Sequence, residues 1–88
     1  MNLAEQVMLE EELRSRMKDF VRGLDRSKPA AGRIEVLLDE LYEDVEPQTS
    51  LMLALASYDP AGGPFLYDEE TIITMMKAVL VVLGSPVR

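Results

Sequence analysis

The chain has 88 residues and carries 16 acidic against 9 basic side chains, a formal net charge of −7. That length holds one domain, and a hydrophobic share of 48% is too high for a disordered chain. Cysteine, histidine and tryptophan are absent, which excludes disulfide scaffolds, thiolate or imidazole metal sites, and Cys- or His-based catalysis.

Four segments have helical character, and none makes a persuasive strand. The spacing predicts a first helix over 3–24. Asn2 stands where an N-cap belongs, with Glu5 three positions on. Leu9, Leu13, Met17, Phe20, Val21 and Leu24 fall in one arc at about 100° per residue. Gln6 and Glu10 occupy the same arc near its start, so the first two turns are expected to run past the core. Gly23, Ser27, Pro29 and Gly32 then break the helix. A second helix is predicted over 30–45. Ile34, Leu37, Leu38, Leu41, Tyr42 and Val45 form its apolar face, and Glu35, Asp39, Glu40, Glu43, Asp44 and Glu46 fill the other.

Pro47 ends the second helix, because proline disfavours helical geometry in the residue before it, and it can open a third over 47–58. That third segment is apolar on all sides through Leu51-Met52-Leu53-Ala54-Leu55-Ala56. Residues 59–67 are expected as a loop, given Pro60, Pro64 and the Gly62-Gly63 pair. A fourth helix is predicted over 68–83. Asp68 opens it, Glu69 and Glu70 sit where the helix dipole favours negative charge, and Gly84 closes it.

Two helices that are apolar nearly all round are hard to cover with only two amphipathic ones. The expected architecture is therefore an all-α four-helix domain spanning 1–88, a helical hairpin plus two strongly apolar helices, completed as a homodimeric bundle. The residues expected between the two copies are Leu51, Leu55, Ile72, Met75, Met76, Val79 and Leu83. The longest apolar stretch, Ile72 to Leu83, falls short of the ~20 residues of a bilayer span, and no basic leader precedes an apolar run. A cytoplasmic protein without membrane contact is expected.

Charge is placed in blocks. Residues 1–33 hold seven bases and six acids, whereas residues 34–76 hold ten acids and no base. An acidic stretch of this kind repels phosphate backbones and anionic membranes and attracts basic proteins. The one positive feature is Arg14, Lys18, Arg22 and Arg26, four residues apart along the first helix. Such a stripe is a possible phosphate contact, but no aromatic or amide side chain interleaves with it, and Glu10–Arg14 and Glu12–Arg16 supply local pairing. Nucleic acid is not expected as a partner.

Carboxylates four apart on the second helix could share a divalent cation, yet they lie opposite the apolar face and no histidine joins them. Asp59 to Glu70 has acids at the first and twelfth places of a calcium loop. Ala61 and Gly63 stand at the third and fifth, where oxygen ligands are needed, and Pro64 replaces the sixth-position glycine. No metal, cofactor or catalytic residue is assigned. There is no Gly-rich phosphate loop and no nucleophile elbow, so enzymatic activity is not expected.

The expected function is a small acidic protein–protein interaction module, acting as adaptor, regulator or inhibitor. Its partner is a protein basic on its contact face, met by Glu35, Asp39, Glu43 and Glu46 together with Tyr58, Phe65 and Tyr67 of the loop. A second reading is an acidic mimic of nucleic acid that inhibits a DNA- or RNA-binding protein. A third is phosphate contact through the basic stripe.

Overall fold

The computed structural model describes residues 2–63 and 67–87. Among them are four helices, α1 (Leu3–Arg22), α2 (Lys28–Leu41), α3 (Gln48–Ala56) and α4 (Glu69–Val82), and no strand.

The Asn2 side chain accepts the Glu5 N–H at 2.8 Å and caps α1. The helix closes two residues earlier than its apolar arc suggests, at Gly23. That glycine lies in the left-handed region (φ 81°), and Leu24 N–H returns to Asp19 O at 2.8 Å. The turn carries Leu24 out of the arc and leaves it 73% exposed. Leu13 is the first fully buried residue, and Leu3 and Met8 lie exposed before it. The start of α1 thus runs past the core, as its polar interruptions imply.

The α2 helix begins earlier than expected. Ser27 Oγ accepts the Ala30 N–H at 3.3 Å, and Asp25 in turn accepts both the N–H and the hydroxyl of Ser27. Pro29 is therefore a first-turn residue, where a missing N–H costs nothing, and it does not break the helix. At the other end, Asp44 adopts φ 59° and the chain leaves the helix after Leu41. Glu43, Asp44, Val45 and Glu46 thus lie in a connection and not on α2, and Val45 is exposed. Pro47 stands just before α3 as its N-cap.

Asp68 caps α4 by accepting the Thr71 N–H at 2.8 Å, as its place in the sequence predicts. Beyond Leu83, Ser85 N–H bonds Leu80 O and Gly84 takes φ 75°, so this end also closes where expected. Between α3 and α4, Tyr67 N–H reaches Ser57 O at 2.9 Å, forming an isolated bridge between Tyr58 and Tyr67.

Each helix packs on the next, and α4 closes the ring against α1. The core inside that ring holds Leu13, Met17 and Phe20 of α1, Ile34, Leu37 and Leu38 of α2, Leu51 and Leu55 of α3, and Ile72, Met76, Val79 and Leu80 of α4. No helix among the described residues is long and apolar enough to cross a membrane.

The surface area is 5301 Å², against about 5,200 Å² for a folded monomer of this mass. One copy therefore encloses a normal share of its surface. This corrects the assignment of Leu51, Leu55, Ile72, Met76 and Val79 to a dimer interface. All five are buried within the single chain, and Met75 and Leu83 are half-buried against the same core. The large apolar side chains left outside on these two helices are Leu53, Val81 and Val82.

Gly32 occupies the second turn of α2 with helical backbone, and a Cβ placed there would meet nothing within 4 Å. Glycine costs about 1 kcal/mol relative to alanine at such a position. Gly32→Ala is expected to raise the unfolding free energy by up to about 1 kcal/mol in urea denaturation, with an unchanged m value.

Candidate functional site

The helical period turns Ile34, Leu37 and Leu38 inward and leaves Val36, Asp39 and Glu40 exposed on the outer side of α2, with Glu35 half-buried. Glu43, Asp44, Val45 and Glu46 continue the exposed surface along the connection. Among the described residues none of these six carboxylates forms an ion pair. Glu46 accepts only the Ser50 hydroxyl.

The reason lies in where the bases go. Arg33 turns from α2 to α1 and binds Glu12 with both arms of its fork, Nε to Oε2 at 2.8 Å and Nη2 to Oε1 at 2.9 Å. The same Oε2 accepts Arg16 Nε at 2.7 Å. Hydrogen bonds from Arg33 first, then from Arg16, hold the Glu12 carboxyl down at about 2, against an ordinary 4.5. The Arg33 guanidinium is pushed up in return, chiefly by its bond to Glu12. Lys28 lies 3.8 Å from Asp59, and Arg26 lies 3.6 Å from Glu69. Arg16, Arg26, Lys28 and Arg33 thus form their ion pairs away from the carboxylates of α2 and the connection after it.

The basic stripe is not assembled as its spacing suggests. Because α1 ends at Gly23, Arg26 is not on that helix. Its Nε donates to Phe20 O at 2.7 Å and its Nη2 to Val21 O at 2.8 Å, filling carbonyls that the last turn of α1 leaves open. Arg14 is half-buried, 3.9 Å from Glu10, and its Nε is enclosed without a partner. Glu10 and Arg14 flank Tyr42, whose hydroxyl is pushed up by burial first and by Glu10 second. Lys18, half-buried, and Arg22, exposed, are left. These two remain neighbours, four residues apart on α1.

The loop residues also divide. Tyr58 belongs to the core and not to a contact surface. Only 2% of it is exposed, its ring meets Phe20 edge-on at 5.4 Å, and its hydroxyl donates to Arg26 O at 2.9 Å. Burial, then Glu69, pushes that hydroxyl up. Tyr67 is 42% exposed and is available to a partner. Phe65 lies outside the described residues. Asp59 accepts the Ala61 N–H besides facing Lys28, and the Asp68 carboxyl, drawn down by its bond from the Thr71 backbone N–H, serves the helix end. Among the described residues no group of three carboxylates is placed to hold a metal ion, and no cavity opens.

The geometry therefore leaves an extended acidic surface, interrupted by Val36 and Val45, whose carboxylates form no ion pair among the described residues. Comparison with known proteins finds no matching family model, no similar curated protein and no similar solved structure.

Sequence reasoning located the acids but missed Arg33–Glu12 and the Arg26 cap. The Arg26 signal was present, since a base just past a helix C-terminus is favoured there. Arg33 and Glu12 are 21 residues apart and meet only through the register of α1 on α2. Because the Glu12 pKa is depressed in the fold, the stabilisation by this pair is complete above pH 4.5 and fades as pH falls towards about 2. Glu12→Gln is expected to cost about 1 kcal/mol at pH 7, the upper range for a partly exposed pair. Chemical denaturation should show the gap from the wild type shrinking below pH 4.5.

Proposed function

We propose that this chain is a non-enzymatic interaction module, an adaptor, regulator or inhibitor that docks a basic protein through the outer side of α2 and the connection after it. The observation that carries the reading is the run of exposed carboxylates at Asp39, Glu40, Glu43, Asp44 and Glu46, none of which forms an ion pair among the described residues. Keeping like charges together is unfavourable in isolation, and a basic partner relieves it on contact. Val36 and Val45, each close to half exposed, supply apolar contact among the charges, matching interfaces in which an apolar centre is rimmed by polar groups. Tyr67 extends the surface from the loop side. The module acts as a homodimer whose self-contact leaves α2 outside, so both copies present the acidic surface.

Affinity capture from the native extract, followed by binding of the captured protein in purified form, tests this reading. Asp39→Lys with Glu43→Lys is expected to weaken binding at least about tenfold, and wild-type binding should weaken as salt rises. Equal binding by the reversed variant sinks the proposal. Excess duplex DNA or RNA displacing the module identifies the partner as a nucleic-acid-binding protein and the module as its mimic.

A further inference from the structure

The fold makes no demand for glycine at position 32. The residue has helical backbone in the second turn of α2, its φ is not positive, and a Cβ there would stand in open space. Glycine weakens a helix interior. A departure from local preference that gains nothing inside the fold is expected at a functional surface. What glycine offers in such a place is room for another backbone to come close.

The residues around it say what comes close. At about 100° per residue, Gly32 and Val36 lie on one line along the outer side of α2, and Asp39 and Glu40 stand on either side of that line one turn further on. Val36 is 45% exposed, and both carboxylates are exposed. The two edges differ in charge. The Glu40 edge also holds Arg33, whose guanidinium is bound by Glu12 and raised further by Glu40. The other edge holds Glu35 and Asp39 four residues apart, and neither forms an ion pair among the described residues. Lys28, two turns before Glu35 on that edge, faces Asp59. Positive charge brought from outside is therefore best accommodated along Glu35 and Asp39.

We propose that Gly32 is the seat on which a helix of the basic partner crosses α2, with an apolar side chain against Val36 and lysine or arginine along Glu35 and Asp39. This inference rests on the docking reading above and names the element that makes the contact. Lys28, Gly32, Val36 and Glu40, each four apart, form a ridge with a gap at the glycine. The ridge of a second helix enters such a gap, and a small residue at the crossing brings the two axes to the short end of about 8–10 Å. An extended segment would need a sheet edge to pair with, and the described residues contain no strand. A second copy of this chain would bring its own net charge of −7 to a surface that is already acidic.

The captured partner in purified form, titrated against the full chain, tests the inference. Gly32→Leu is expected to raise Kd at least about tenfold, and Gly32→Ala to raise it by less even as it stabilises the fold. Neither should alter how steeply binding weakens with salt, because neither removes a charge. Asp39→Lys should weaken binding more than Glu40→Lys, and should flatten the salt dependence. Alanine scanning of the partner should place its sensitive residues three or four apart. If Asp39→Lys with Glu43→Lys binds as well as the wild type, the docking reading itself fails. With that variant weakened, four results would each overturn this inference alone: wild-type affinity in Gly32→Leu, equal losses from Asp39→Lys and Glu40→Lys, sensitive partner residues at every second position, or self-association of this chain abolished by Gly32→Leu.

Discussion

The fold turns on the junction built around Arg26. Its guanidinium fills the open carbonyls of Phe20 and Val21 at the end of α1 and reaches Glu69 at the start of α4, while its backbone carbonyl accepts the Tyr58 hydroxyl. The Tyr58 ring then lies edge-on against Phe20. Three chain segments that are distant in sequence are thereby pinned at one end of the bundle. A buried phenol is tolerable only with a partner for its O–H, and a helix end near the core only with its carbonyls satisfied. One residue answers both demands, and its guanidinium also faces Glu69 in the first turn of α4.

The same economy explains the charge distribution. The bases of residues 1–33 are largely structural: Arg26 seals a helix end, Arg16 and Arg33 converge on Glu12, and Lys28 faces Asp59. Each such pairing holds the first two helices and the loop in register, and each removes a cation that could have neutralised α2. The acidic surface is thus a consequence of how the cations are used, as much as of how many acids there are. Its apolar counterpart lies on α4. A 14-residue helix with only three charges, placed at the rim of a four-membered ring, cannot turn all its apolar side chains inward. One face goes to the core and the other stays outside it.

Much of the local structure could be read directly from residues. Asn2, Asp68, Gly23 and Gly84 mark helix ends through short-range hydrogen bonds, and the 3.6-residue period of Ile34, Leu37 and Leu38 declares its inner face unaided. The misreadings also have local causes. Pro29 looks like a breaker until Ser27 is recognised as the cap before it, and Asp44 gives little warning that it will take a left-handed conformation and end α2 early. For α3 the period was silent, because a segment apolar on every side has no preferred inner face. Its neighbours chose Leu51, Ala54 and Leu55 for the core and left Leu53 in water.

The linear chain by itself determined the all-helical class, the number of helices, most of their ends and the imbalance of charge, because each depends on residues within one or two turns of each other. Only the tertiary structure decided that Tyr58 is core, that Arg26 leaves the basic stripe, that Arg33 is taken by Glu12, and which sides of α3 and α4 stay outside. Those outcomes are settled by competition among distant helices for the same limited interior, and no local pattern records who wins it.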